Sequence, residues 1–347
     1  RLMAKAPAMD APALAGAGLV DRVVGRDLAE AIGARFGAGR DFKWDEPDEE
    51  GGAGAAPNPF QLLRRLMGGE DRGLPDPALA LVHVVGPIGR GESRFEGMTG
   101  QRYSGSRTVG RALRRAAAAP EIRGILVRID SPGGSAVASD VIWQAMRSAA
   151  EKKPLYVSIG ATAASGGYYV ASAGTRIYAD APSIVGSIGV IGGKLVLGGL
   201  YEKMGIAVTR RSRGPLAGPH NSVEPYTDEQ RALVRTSLKR VYERFLERVR
   251  TGRGEAVGAL DEVAGGRIFT GRQAQQRGLV DEVGGLLQAQ RALAAAAGLE
   301  GKNYRVVRMP PPMTLPQLIE HFFGGGFSGA RFSSAGFSNA GYSNEVQ

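Results

Sequence analysis

The chain has no cysteine. Neither a disulfide framework nor a thiolate metal site is therefore possible, and an oxidising compartment is permitted without being required. It also lacks a long apolar run. Residues 184–200 come nearest, but Lys194 interrupts them and glycines break them up, so the chain carries no span of its own of the roughly 18 residues a membrane helix needs. Acidic side chains are in short supply: 34 Asp and Glu stand against 44 Lys and Arg, a formal net charge of +10. Such an excess suits nucleic acid or an anionic membrane. The basic residues are scattered, however, as in Arg107, Arg111, Arg114 and Arg115, then Arg231, Arg235, Lys239 and Arg240, on helix-like segments beside Glu and Asp. No basic run is interleaved with stacking aromatics, which argues against a nucleic-acid partner. No metal-ligand cluster and no phosphate-binding loop is present, so no cofactor is expected. The chain opens on Arg1 without a signal-peptide pattern, which reads as a fragment or a processed product.

Small residues are abundant instead, with 52 glycines. The most informative stretch is 157–189, centred on Ala163-Ala-Ser-Gly-Gly-Tyr-Tyr169. The apolar run 154–160 leads in as a buried strand. Small residues then make a tight turn, and Tyr168 to Ser172 can open a helix. A serine on a sharp strand-to-helix turn has its hydroxyl on a fixed backbone, beside helix N–H groups free to receive an oxyanion. A serine helix cap is the plainer alternative.

Two further strands precede it, 78–88 and 124–130, with a helix at 108–118 between them. His83 lies inside the first and reads as a core histidine. The second strand runs into Asp130-Ser-Pro-Gly-Gly-Ser135, followed by a helix over 135–149. A Pro-Gly-Gly bend leaves N–H groups free and side chains absent, which fits a wall of an oxyanion site as well as a plain turn. Strands alternating with helices predict a mainly parallel sheet with right-handed crossovers. Both Gly-rich turns should meet at the carboxyl ends of its strands, where ligands bind. Beyond Ser165 the pattern gives a strand at 175–179, a helix at 195–204, a short strand at 207–210 and a long amphipathic helix over 229–250. That helix carries Leu233, Leu238, Val241, Phe245, Leu246 and Val249 on its apolar side.

The chain repeats itself. Ala17-Gly-Leu-Val-Asp-Arg-Val-Val-Gly25 recurs as Arg277-Gly-Leu-Val-Asp-Glu-Val-Gly-Gly285, and the shared Gly-Leu-Val-Asp cores begin at Gly18 and Gly278, 260 residues apart. The second copy closes a long domain, so the first should close an earlier one. This divides the chain into 1–36, the end of a preceding domain; 37–77, a linker rich in Gly, Ala, Pro and acid with a short helix at 59–67; 78–300, the main domain; and 301–347, a tail. The tail holds a short helix candidate at 315–323 and becomes Gly/Ser/Phe-rich from about 324.

Taken in order, Asp130-Ser-Pro-Gly-Gly-Ser135, Ala163-Ala-Ser-Gly-Gly-Tyr-Tyr169, Gly186-Ser-Ile-Gly189 and Gly278-Leu-Val-Asp281 resemble signal peptide peptidase A, a family of serine–lysine peptidases. The resemblance covers about 78–300 and implies an α/β, Clp-protease/crotonase-like fold with a mainly parallel sheet. The repeat resembles the tandem form of that family, with this chain as its second half. Residue by residue, the resemblance implies Ser165 as nucleophile, the N–H groups of Gly134 and Gly166 as an oxyanion hole, and Ser187 as the residue orienting a lysine base. It also implies cleaved signal peptides as substrate, a homo-oligomer, and anchoring to the bacterial inner membrane through an N-terminal segment, with the catalytic part on the extracytoplasmic side. The Tyr- and Gly-lined cleft would favour small, apolar side chains.

One element departs from the single-domain pattern. The loop 213–222 contains no lysine, and Pro215 takes the place where the resemblance expects it. In the tandem form the base comes from the first domain. Lys194 and Lys203 are the nearby lysines here and read as surface residues; His220 lies in the right loop with no carboxylate at recognisable spacing. Two other readings stay open. One is a pseudo-peptidase scaffold that binds peptides. The other is acyl-CoA chemistry on the same fold, which gives the Ser-Gly-Gly-Tyr-Tyr turn no reason to exist.

Overall fold

The computed structural model describes residues 11–20, 76–96, 100–211, 213 and 218–311. The helix expected after the first repeat, nearly all of the linker with its 59–67 helix, the tail beyond residue 311, and Pro215 lie outside those residues.

Among the described residues eleven strands follow in chain order: β1 (Ala78–Val85), β2 (Ile88–Gly89), β3 (Arg94–Glu96), β4 (Gln101–Gly105), β5 (Ile122–Ser131), β6 (Leu155–Ala164), β7 (Arg176–Ala179), β8 (Ile184–Gly186), β9 (Ile268–Thr270), β10 (Glu282–Val283) and β11 (Arg305–Met309). The helices are α1 (Ala11–Gly16), α2 (Ser106–Ala118), α3 (Ala136–Ala150), α4 (Gly166–Ala171), α5 (Gly198–Lys203), α6 (Asp228–Arg253), α7 (Leu260–Val263), α8 (Gly271–Gln276) and α9 (Leu286–Ala296). The main sheet has the order β10-β7-β6-β5-β1-β11, with β8 beside β6 and β9 beside β8. Every pairing in it is parallel except β8 with β9. The small sheet is β2-β4-β3.

Parallel strands are buried on both faces, which is why β5 and β6 read as nearly continuous apolar runs. Alternate residues divide between two cores. Ala80, Val82 and Val84 of β1, Ile125, Val127 and Ile129 of β5, and Val157 and Ile159 of β6 pack with Leu113 of α2 and Ile142, Trp143 and Met146 of α3. On the other face Leu79, Leu81, Leu126, Tyr156 and Tyr178 pack under Ala289 and Leu293 of α9. A sequence that needs helices on both faces thereby gets a three-layer domain.

Several expectations change. The main sheet continues past residue 300: β11 pairs in parallel with β1, from Ala78↔Arg305 to Val82↔Met309. Arg305 and Arg308 flank its two valines and conceal the strand. The helix expected at 195–204 shrinks to α5 at Gly198–Lys203. The strand expected at 207–210 does not form. Ile206 and Val208 remain 45% and 46% exposed, and among the described residues no strand edge pairs with their backbone. The long helix α6 starts where expected, with Thr227 and Gln230 forming a capping box. Of its apolar stripe, Phe245 and Val249 are buried, while Leu233, Leu238, Val241 and Leu246 are half-buried. His83 is exposed, not a core histidine. It shares a face with Leu79 and Leu81, but α9 does not reach its level.

The repeat has a geometric counterpart. After α1, Gly18 adopts φ 69; its N–H donates to Ala15 O at 3.0 Å and that of Leu19 to Leu14 O at 2.9 Å. After α8, Gly278 adopts φ 72; its N–H donates to Gln275 O at 3.0 Å and that of Leu279 to Ala274 O at 2.9 Å. Both copies end a short helix with the same glycine cap.

Candidate active site

Ser165 sits between the end of β6 and the start of α4, with φ 50 and ψ −122. An L-residue pays about 1–3 kcal/mol for such a conformation, which persists only where the surroundings over-determine it. Here they do. The Ser165 N–H donates to Gly186 O, and its carbonyl accepts from Tyr169 N–H, both at 2.9 Å. Ser165 is half-buried, so its side chain is neither sealed in the core nor free to swing.

The Pro-Gly-Gly bend lies directly against this turn. A Cβ on Gly133 would come within 2.9 Å of the Ser165 Cβ and 2.7 Å of the Gly166 nitrogen. On Gly134 it would meet Ile88 O at 2.2 Å, and on Gly166 it would lie 2.6 Å from Ser139 Oγ and 3.2 Å from the Gly134 nitrogen. Only glycine fits where these backbones approach. The bend is fixed by β2: Ile88 N–H donates to Gly133 O at 2.8 Å and Ser135 N–H to Ile88 O at 2.9 Å. Those bonds leave the Gly134 N–H out of the ladder. The N–H of Gly166 is the first of α4 and has no intrahelical acceptor. Ser131 completes the support, donating from Oγ to Gly86 O at 2.6 Å and accepting from Gly133 N–H at 3.1 Å.

Ser187 is the other non-glycine residue with positive φ among the described residues, at φ 51. Its position follows from register. Ala164 pairs with Gly186 in the parallel β6–β8 ladder, so Ser165 and Ser187 are the next residues along two adjacent strands. The Ser187 N–H donates to Arg267 O at 2.6 Å. The two serines that the motifs single out thus share one end of the sheet and one kind of strain.

The candidate bases are distributed differently. Lys194 is half-buried. Its Nζ lies 4.3 Å from the centre of the Tyr226 ring, with no hydrogen-bond partner among the described residues. Burial and Arg210 hold its pKa below the usual lysine value, with Glu224 opposing. These neighbours belong to the segment before α6, not to the Ser165 turn. Lys203 and His220 are exposed.

The two tyrosines of the motif face inward, so they do not line an open cleft: Tyr168 is 0% and Tyr169 3% exposed. The Tyr168 hydroxyl donates to Leu279 O at 2.9 Å, and that of Tyr169 donates to Asp140 Oδ1 at 2.7 Å. Asp140 also accepts from Arg248 Nε at 2.8 Å and Gln144 Nε2 at 2.5 Å. This joins α3, α4 and α6 behind the turn. Burial pushes the Asp140 carboxyl up, but the hydrogen bonds from Arg248 and Tyr169 outweigh it, and the net shift is downward. Asp140 and Arg248 stand 108 residues apart, and no sequence spacing signals their meeting. The Gly278-Leu-Val-Asp281 motif is structural too. Asp281 takes both Nη atoms of Arg253, at 3.0 and 2.7 Å, and the Ile177 N–H at 2.7 Å.

A family model described as Peptidase family S49 matches residues 147–300, a stretch that contains Ser165, Gly166 and Ser187. A protease from Synechocystis sp. is 36% identical over 191 residues, 55% of this chain and 69% of that one. The chain belongs to peptidase family S49. Other S49 relatives are the chloroplastic serine protease SPPA of Arabidopsis thaliana, 39% identical over 56% of this chain and 29% of that protein, and Protease 4 of Haemophilus influenzae, 35% identical over 78% and 42%. The chain therefore spans less than half the length of these two. Its parallel sheet with helices on both faces is the Clp-protease-like architecture of an S49 domain. Among the described residues no helix is long and apolar enough to cross a membrane.

Proposed function

We propose that this S49 domain is the serine half of an endopeptidase acting on membrane-associated peptides such as cleaved signal peptides. Ser165 Oγ attacks the scissile carbonyl carbon, and its proton passes to a lysine amine. The carbonyl oxygen becomes an oxyanion received by the N–H groups of Gly134 and Gly166. The C–N bond breaks as the amine leaves with the proton, and water then hydrolyses the acyl-serine. Ser187 orients the lysine, which an earlier domain supplies. The observation that carries this reading is the strained Ser165 turn, locked against a bend whose amides stay outside the ladder. A buried lysine is a workable base because desolvation lowers its pKa, and each oxyanion donor is worth about 10²–10³ in kcat.

The borrowed base is supported by the lysine-free loop 213–222 and by the matching glycine caps of the two repeat copies. A homo-oligomer on the extracytoplasmic face of the inner membrane belongs to the same reading. It is supported by the segment 191–206, where Ile191, Leu195 and Met204 are 98%, 69% and 62% exposed. The test is fluorophosphonate labelling of this chain alone and of the chain extended by its upstream coding sequence. Labelling of Ser165 in the extended chain only is the expected result. Equal labelling in both would sink the borrowed base. Labelling in neither would favour the alternative, a pseudo-peptidase scaffold, which Pro215 in the lysine's place supports.

A further inference from the structure

The face of the sheet under α9 is apolar for only part of its height. Leu79, Leu81, Leu126, Tyr156 and Tyr178 are covered. The next row toward the carboxyl ends is His83, Arg128 and Ser158, register partners across β1, β5 and β6. Arg308 pairs with Leu81, so it lies on this face one step below His83. Neighbouring strands are about 4.8 Å apart, which brings these groups within reach of one small ligand. His83 and Arg308 are exposed; Arg128 and Asp130 are half-buried.

Among the described residues the basic groups of this row outnumber its one carboxylate, Asp130, whose Oδ2 and Arg128 Nη2 lie 3.1 and 3.2 Å from where a Gly160 Cβ would sit. Arg128 donates to Ser158 Oγ at 2.7 Å and Ile159 O at 3.0 Å, both neutral acceptors. Neither Arg128, Arg102 nor Arg308 forms an ion pair with a described carboxylate. Asp130, two residues beyond Arg128, spends one oxygen on the Thr162 N–H at 3.1 Å. Two guanidinium groups thus flank His83: Arg128 is its register partner on β5, and Arg308 lies one step below it on β11. The His83 pKa is held below the usual histidine value, first by partial desolvation against the sheet and then by the positive charges of Arg308, Arg128 and, more weakly, Arg102. Gathering like charges on a half-covered face is costly unless an anion joins them. Arginine forks suit a tetrahedral oxyanion in particular.

We propose that this half-covered row of the sheet is a binding site for a phosphate group, held by Arg128 and Arg308 beside His83. A soluble phosphate ester and a lipid phosphate headgroup present the same chemistry. The site lies on the opposite face of the sheet from α2 and α3, and it stands whether or not Ser165 is the nucleophile.

The test follows the C2–H resonance of His83 by NMR. Inorganic phosphate should raise the His83 pKa by about one unit, as an opposite charge nearby does. Sodium chloride of equal ionic strength should not. Arg308→Gln changes an exposed residue and should preserve the fold. It should raise the His83 pKa without phosphate and weaken phosphate binding about tenfold. A soluble source is indicated if glycerol phosphate reproduces the shift and vesicles do not bind. A lipid source is indicated if the chain floats with phosphatidylcholine vesicles containing phosphatidic acid, but not without it, and R308Q abolishes flotation. A phosphate response matched by chloride, or unchanged in R308Q, overturns the proposal.

Discussion

Replacing Ser165 by glycine should stabilise the domain while abolishing any reaction at that position. At φ 50 and ψ −122 a residue with a Cβ stores about 1–3 kcal/mol. Alanine keeps the Cβ and the strain and loses only the hydroxyl. Glycine removes the strain but adds unfolded-state entropy, which costs about 0.5–1 kcal/mol. The Ser165→Gly domain should therefore exceed Ser165→Ala by up to about 2 kcal/mol. For a domain of this size each kcal/mol moves the thermal midpoint by about 2–4 °C, so the pair should differ by several degrees. The assay is paired urea and thermal unfolding of the two variants, with fluorophosphonate labelling in parallel to show that both have lost the reactive hydroxyl. A Ser165→Gly midpoint at or below that of Ser165→Ala would mean that the turn is relaxed, and the strain argument would fail.

Asp281→Asn should destabilise by about 3–5 kcal/mol. It strands the Arg253 guanidinium, whose side chain is 3% exposed, and it weakens the acceptor of the Ile177 N–H; equilibrium unfolding reads this directly. Gly134→Ala should abolish labelling of Ser165 in the extended chain and lower stability, because the new methyl would sit 2.2 Å from Ile88 O. A labelled, stable variant would remove Gly134 from the oxyanion hole. Asp140→Asn tests the clamp behind the turn. The folded pKa of Asp140 lies below its ordinary value, so its ionised form contributes stability that is fully present above about pH 4. That contribution is lost as pH falls through the lowered native value. The stability gap between wild type and Asp140→Asn should thus be constant above about pH 4 and shrink below it; a gap that grows on acidification would reverse the sign.

Much of the fold was legible because its strongest signals are local. The continuous apolar runs of β5 and β6, the capping box at Thr227 and Gln230, and the helix following Ser135 each depend on residues within a few positions of one another. The expected helix at 195–204 and strand at 207–210 misled because their apolar residues have no described surface to pack against, and pattern without burial does not hold an element. β11 was concealed for the opposite reason: Arg305 and Arg308 disguise a strand that exists because β1 offers it an edge. His83 has the same lesson, since a strand's parity is visible in sequence but the reach of the helix covering that face is not.

By itself the sequence determined the small-residue turns, their order along a parallel α/β chain, and the repeat that ties residues 18 and 278. Each is a short-range statement about which backbone conformations the residues permit. Tertiary structure alone decided that the Pro-Gly-Gly bend touches the Ser165 turn, that Ser187 falls beside Ser165, and that Asp140 meets Tyr169 and Arg248. Those contacts join strands and helices far apart in the chain. They are set by sheet register and by which helix packs on which face, and no local spacing encodes either.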